Sequence, residues 1–215
     1  MQDNYRHQGM RKRLIAEIER KGIHHPKVLE VMSKIPRHFF MDRGFEDWAY
    51  KDVAFPIGEE QTISQPYTVA YQTQLLEIQP KDRILEIGTG SGYQAAVLFD
   101  MGAKVYTIER QEKLFVRTEA LLKRLGYGRI RTFLGDGFAG LQRFAPFDKI
   151  LLTAAPEGIP GALLDQLDNN GILVTPIGET GKTQQMVRVT KVNGSFEMEK
   201  LDYFQFVPML KGVQR

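Results

Sequence analysis

Residues 83–94 read Arg-Ile-Leu-Glu-Ile-Gly-Thr-Gly-Ser-Gly-Tyr-Gln. Arg83 to Ile87 is a short apolar run of strand length, and Ser91 to Met101, with Ala95, Val97 and Leu98, has the pattern of a helix. The glycines between them, Gly88, Gly90 and Gly92, predict a tight turn at the carboxyl end of a strand, where backbone can approach a ligand closely. A dinucleotide fingerprint needs glycines at the first, third and sixth places. Here the sixth place is Tyr93, and the third glycine comes one residue early. Glu86 stands two residues before the first glycine. A carboxylate there is an awkward neighbour for a pyrophosphate and a comfortable one for a ligand carrying an ammonium and a sulfonium.

Outward from this turn the chain alternates. Further strands are predicted at Lys104–Ile108, Ile130–Leu134, Phe147–Thr153 and Gly171–Thr175. Helices are predicted at 111–125 and near 161–167. Strand alternating with helix predicts a parallel sheet covered on both faces. Before it lie predicted helices over 4–21, after Pro26, and over 66–78, with an ordered polar loop at Gly58–Pro66. After it, Gln184–Val192 and Phe196–Phe206 flank Asn193-Gly194, a strong hairpin signal. The expected organisation is an N-terminal helical extension and loop over 1–65 and a Rossmann-like domain over 66–215, forming one compact unit.

Two acidic residues sharpen the ligand. Glu109 ends the second predicted strand, 21 residues after Gly88, where a carboxylate accepts hydrogen bonds from ribose hydroxyls. Ribose is common to nicotinamide and adenosyl cofactors, so Glu109 alone does not choose between them. Asp136, in Gly135-Asp136-Gly137 after the third strand, can accept an adenine amino group, or can simply cap a turn. Together the three strand ends describe an adenosyl pocket without phosphates, hence S-adenosyl-L-methionine. A nicotinamide oxidoreductase, a nucleic-acid methyltransferase and a non-catalytic RNA-binding module are the rival readings.

Composition narrows the chemistry. Of 215 residues 42% are hydrophobic and 26% charged, which suits one globular core. With no cysteine there is no disulfide, zinc–thiolate site, iron–sulfur cluster or cysteine nucleophile, and the covalent route to pyrimidine C5 is closed. No stretch approaches the ~20 apolar residues that span a bilayer, and no secretory leader follows Met1. The net charge of +3 permits acidic partners without demanding nucleic acid. His7, His24, His25 and His38 share no metal-binding spacing, so no metal is expected. Arg6, Arg11, Lys12, Arg13, Arg20 and Lys21 read as a solvated helix face, and Phe39, Phe40, Phe45, Trp48 and Tyr50 as core. Asn193-Gly194 and Asn170-Gly171 are also deamidation-prone pairs.

The chain resembles the protein-L-isoaspartate O-methyltransferases. The resemblance rests on Ile57-Gly-Glu-Glu-Gln-Thr-Ile-Ser-Gln-Pro-Tyr67, Leu85–Gln94, Gly135-Asp-Gly137, Phe147–Pro156 and Phe206-Val-Pro208. One departure is Asn169-Asn170, where a second glycine is frequent beside Gly171. The resemblance implies a Rossmann-like class I methyltransferase fold with N-terminal helices and a C-terminal antiparallel hairpin. It implies methyl transfer to the free α-carboxylate of isoaspartyl residues in damaged proteins and peptides, after which the ester collapses to a succinimide. It places Ser64 beside the reacting carboxylate, although the residue could instead cap the helix beginning at Pro66. Thr62, Ile63, Gln65, Val207 and Pro208 become substrate-binding candidates. Glu86, Gly88, Thr89, Gly90, Ser91, Gly92, Glu109, Asp136 and Gly137 become cofactor-binding candidates. A cytoplasmic monomer, with neither nucleic acid nor membrane as partner, is the accompanying expectation.

Overall fold

The computed structural model describes residues 2–215. Helices α1 (Tyr5–Arg20) and α2 (Pro26–Lys34) lead into two single-turn 3-10 helices at Arg37–Phe40 and Trp48–Tyr50. A small hairpin follows, β1 (Phe55–Gly58) and β2 (Gln61–Ile63), then α3 (Pro66–Leu75). The alternating region runs β3 (Arg83–Ile87), α4 (Tyr93–Asp100), β4 (Lys104–Glu109), α5 (Glu112–Arg124), β5 (Arg131–Leu134), β6 (Phe147–Leu152), α6 (Gly161–Asp165) and β7 (Leu167–Ile177). The last two strands are β8 (Gln184–Val192) and β9 (Ser195–Phe204).

The main sheet has the order β5-β4-β3-β6-β7-β8-β9. Its first five strands are parallel, and β8 and β9 join antiparallel. The chain starts at β3, moves outward through β4 and β5, and returns to lay β6 on the other flank of β3. The crevice beyond the carboxyl ends of β3, β4 and β6 is therefore the switch point, where open α/β sheets bind ligands. Buried Ile84, Leu85, Ile87, Val105, Ile108, Ile150 and Leu151 fill both sides of these strands, as a sheet covered on both faces requires. Leu14 and Ile18 of α1 and Val28 and Met32 of α2 join the same apolar cluster as Ala95 and Leu98 of α4.

The expected elements recur with three differences. The stretch at 58–66 is not a loop throughout, because Phe55 pairs with Ile63 and Pro56 with Thr62. The turn between these strands uses Glu59 and Glu60, both at positive φ (49° and 55°), a conformation usually signalled by Asn or Gly. Strand β7 extends four residues earlier and two later than Gly171–Thr175, since β6 and β8 pair with its two edges. Helix α3 stops at Leu75, and Glu77 turns the chain with φ 50°. The hairpin at Asn193-Gly194 stands as read, with Val192 opposite Ser195 and both turn residues at positive φ.

Two surface expectations need correction. Arg11 does not lie on a solvated face. It is buried, with Asp3 accepting both terminal nitrogens (3.1 and 2.8 Å), Tyr50 Oη accepting one (3.0 Å) and the Ser33 carbonyl accepting Nε (2.7 Å). Phe45 and Trp48 are not core. They are 42% and 43% exposed and lean on Phe55 at the surface, whereas Phe40 and Tyr50 are buried.

Candidate active site

The turn after β3 is built on glycine by necessity. Gly88, Gly90 and Gly92 have φ of 100°, 53° and 83°, a region that costs other residues steric strain. A Cβ on Gly88 would lie 2.5 Å from Thr153 Oγ1, and one on Gly92 2.9 Å from Thr118 Cγ2. Thr153 in turn donates its hydroxyl to the carbonyls of Ile87 (3.0 Å) and Gly88 (2.8 Å), tying the turn to the end of β6. The turn and the strand ends wall a cleft that opens to solvent at the carboxyl edge of the sheet.

Of the residues assigned to cofactor binding, Gly88, Thr89, Gly90, Ser91, Glu109 and Gly137 line this cleft. The Glu109 carboxylate accepts Gly90 N–H and Gln111 N–H, each at 2.9 Å. It thus fixes the glycine turn while keeping lone pairs for ribose hydroxyls. A Cβ on Gly137 would collide with Ile87 Cγ2 and press Met209, so glycine is required for the loop after β5 to pack against the end of β3.

Glu86, Gly92 and Asp136 frame the cleft from outside its lining. Glu86 lies beneath the turn, fully buried between Thr107 and Leu151 of the adjacent strands. Its carboxylate has no hydrogen-bond partner among the described residues. Burial, with the charge of Glu109 nearby, pushes its pKa up to about 8. Gly92 is the hinge into α4. Asp136 spends its two oxygens on Phe138 N–H and Gly212 N–H, both 2.9 Å away.

The acceptor side comes from the other end of the chain. Thr62, Ile63 and Ser64 line the same cleft opposite the glycine turn. Thr62, Ser64, Thr153 and Val207 also line an adjoining groove that includes Gln65, Tyr67 and Phe206. Ser64 therefore stands on the lip between two cavities. The alternative role as a helix cap does not hold: Gln65 occupies the cap position of α3. The free Tyr67 N–H is met by the Asp52 carboxylate (2.8 Å), which also accepts Gln65 Nε2 (3.1 Å) and Lys21 Nζ (2.6 Å). Gln65 faces the groove and not the cleft. Val207 and Pro208, assigned to substrate, line the cleft, and Val207 alone of the two reaches the groove.

Sequence reasoning assigned no site role to Gln61, Val69, Ile87, Tyr93, Gln94, Ile108, Arg110, Thr153, Ala154, Met209 and Leu210 among the lining residues. Tyr93 and Arg110 directly follow motif positions and could have been found by extension, whereas Met209 and Leu210 carry no local signal. Spacing also hid a cluster: Asp3, His7 and His38 come together, with candidate ligand atoms within 4.8 Å. The two imidazoles are tilted by 31° with centroids 4.0 Å apart, and both Asp3 oxygens accept from Arg11.

The cleft fits S-adenosyl-L-methionine by the chemistry of its walls: a carboxylate at the ribose position, glycine backbone, and apolar Ile108, Met209 and Leu210 for a flat base. A switch-point cleft of this kind on a mostly parallel sheet, without the dinucleotide glycine spacing, suits a Rossmann-like, S-adenosylmethionine-dependent methyltransferase. Residues 9–214 match the family described as protein-L-isoaspartate(D-aspartate) O-methyltransferase. A protein-L-isoaspartate O-methyltransferase of Flavobacterium psychrophilum is 50% identical, covering 98% of this chain and 99% of its own. One from Christiangramia forsetii is 49% identical over the same shares. The solved beta-aspartate methyltransferase (PCMT) of Plasmodium falciparum, in complex with S-adenosyl-L-homocysteine, superposes with a TM-score of 0.82 at 25% identity, covering 94% of this chain and 99% of that one. The chain belongs to the protein-L-isoaspartate O-methyltransferase family.

Proposed function

We propose that Ser64 positions the substrate in this enzyme, which transfers the methyl group of S-adenosyl-L-methionine to the free α-carboxylate of L-isoaspartyl residues in damaged proteins. The methyl ester then closes to a succinimide, which opens partly to normal aspartate. The observation that carries the role of Ser64 is its place on the lip shared by the cofactor cleft and the groove. A peptide in the groove would present its carboxylate at this lip.

An α-carboxyl group ionises at a pKa of about 3.3–3.7, so the nucleophile carries its charge at neutral pH and no general base is required. S-adenosyl-L-methionine supplies, when bound, a methyl group on a sulfonium, whose departure as a neutral sulfide needs no proton. The chain has to place and shield. Glu109, Gly88, Gly90 and Gly137 would hold the adenosyl half, and the Ser64 hydroxyl would donate to one carboxylate oxygen and hold it in line. Thr62, which lines the groove from β2 of the small hairpin, would offer backbone for pairing with an extended peptide, while buried Ile63 lines the cleft. Such pairing suits a substrate defined by a damaged backbone and not by its side chains.

The enzyme is further proposed to act as a cytoplasmic monomer without nucleic-acid or membrane partners. The lack of cysteine suits a reducing compartment. No helix among the described residues is long and apolar enough to cross a membrane. Transfer of a labelled methyl group to an isoaspartyl peptide, with the aspartyl peptide as control, tests the activity. S64A is expected to lower kcat about 10- to 100-fold while leaving cofactor Kd within about twofold. Wild-type turnover in S64A removes the assigned role.

A further inference from the structure

Arg37 begins the 3-10 turn that follows α2, and it is 1% exposed, the largest fully buried side chain among the described residues. Its Nη2 donates to the carbonyl of Ser64 at 2.8 Å. Its Cζ lies 4.8 Å from the ring centroid of Tyr93, a cation–π contact. Nε and Nη1 have no partner among the described residues, and no carboxylate is bonded to the group. The nearby Asp52 is committed to Lys21, Gln65 and Tyr67.

Packing does not explain this cation. An apolar side chain of similar volume would fill the space without the desolvation cost of a buried charge. Its only hydrogen bond among the described residues is to the main chain of the residue at the acceptor lip. Its aromatic contact, Tyr93, is the first residue of α4 after the glycine turn, and itself lines the cofactor cleft. Arg37 on one flank and Asp52 on the other thus grip the run Ser64–Tyr67. Burial lowers the guanidinium pKa to about 10, so it keeps its charge at neutral pH.

We infer that Arg37 is a positioning residue for methyl transfer: from within the core it ties the Ser64 carbonyl to Tyr93 and so sets where the acceptor lip meets the cofactor cleft. The inference rests on the role assigned to Ser64. It has two separable consequences. The tie places the Ser64 hydroxyl and belongs to kcat. The charge attracts a carboxylate substrate more than its neutral ester, and belongs to KM.

The test compares R37K, R37M, S64A and R37K/S64A on an isoaspartyl peptide, with S-adenosylmethionine Kd measured for each. Lysine keeps the charge but cannot reach the carbonyl and the ring face with one planar group. R37K is expected to lose about tenfold in kcat with KM within about threefold. R37M is expected to lose kcat and raise KM as well. Cofactor Kd stays within about twofold in both, because Arg37 itself lines no part of the cleft and Tyr93 keeps its packing against Phe40. In the S64A background R37K costs nothing further, since the hydroxyl it places is gone. Wild-type kcat in R37K overturns the inference, as do losses that multiply in the double variant, the result of general loosening. If R37M fails to fold, R37K and its double variant decide alone. The two readings fail separately: wild-type turnover in S64A removes the role of Ser64, whereas a slow S64A beside a fast R37K removes only that of Arg37.

Discussion

Glu86 shows what a single buried proton does to this protein. Its ordinary value is 4.5, and burial pushes it up to about 8. Between those values the folded protein holds a proton that the unfolded chain has released. The contribution of Glu86 to stability therefore falls as pH rises from about 4.5 and stops falling above about 8. E86Q keeps the shape and removes the titration. Urea unfolding at pH 5 and pH 8 should show wild type losing stability across the interval and E86Q losing much less; equal slopes would contradict the assignment. Gly88 is the opposite case, since space alone decides it. G88A would force a Cβ 2.5 Å from Thr153 Oγ1 at φ 100°, and cofactor binding by G88A should fall below detection in calorimetry. The glycine turn and Glu109 were legible because their chemistry is local to the motif. The depth of Glu86 was not. A strand paired on both edges and covered on both faces buries every position, so alternation in the sequence does not tell the wall from the floor. The position of Asp136 beside the lining was not legible for a related reason: its partner Gly212 arrives from 76 residues away.

At the scale of elements, the parallel strands and their helices were legible because their apolar runs end in glycine or helix starts. The β1–β2 hairpin was not, because its turn carries Glu59 and Glu60 where the backbone asks for φ above zero. The strand that leaves this turn, Gln61–Ile63, lines the cofactor cleft. Arg117 Nη2 donates to the Ile57 carbonyl at 2.6 Å, and Lys113 reaches Glu59 at 3.8 Å, so α5 holds the hairpin down. Replacing the turn residues with the pair that prefers this geometry, E59N/E60G, should raise stability by about 0.5–1 kcal/mol, measured as a higher Tm. An unchanged or lower Tm would mean that the glutamates contribute more through Lys113 than they cost in backbone strain. Asn170 makes the same point from the other side. It replaces a frequent glycine, yet it adopts φ 62°, which asparagine tolerates better than most residues. Asn170 is held at positive φ within β7, and Asn193 at positive φ in the tight turn between β8 and β9. Attack of the next amide nitrogen on their side chains requires that backbone to rearrange. Peptide mapping of aged native protein should find isoaspartate accumulating at these sites more slowly than in the urea-unfolded chain; equal rates would show that the turns give no protection.

Across the whole molecule, the site is assembled from the two ends of the sequence on a frame supplied by its middle. The residues after β9 leave one edge of the sheet and cross the carboxyl ends of the strands toward the other. Ala155 N–H donates to the Val207 carbonyl (2.9 Å) and Met209 N–H to the Ala155 carbonyl (2.8 Å), fastening the chain to the loop after β6. Gly212 N–H then reaches Asp136 after β5, and Gln214 bonds Arg110 and Glu112 after β4. The tail therefore stitches together the three loops that surround the cleft, and Val207 to Leu210 form part of its lining. Little of this was legible, because the tail has no periodic pattern and its bonds are main chain to main chain. Only Val207-Pro208 stood out, and only by resemblance. The core of the sheet does not depend on the tail, since β8 and β9 pair fully before it begins. A chain ending at Phe206 should thus keep its circular dichroism spectrum and cooperative unfolding. It should bind S-adenosylmethionine at least about tenfold more weakly, a loss of about 1.4 kcal/mol, because the apolar wall is gone and Asp136 and the Arg110 carbonyl lose their partners. Calorimetric titration of the truncated chain measures this directly, and an unchanged Kd would mean that the strand ends alone hold the cofactor and that the tail serves the peptide groove instead.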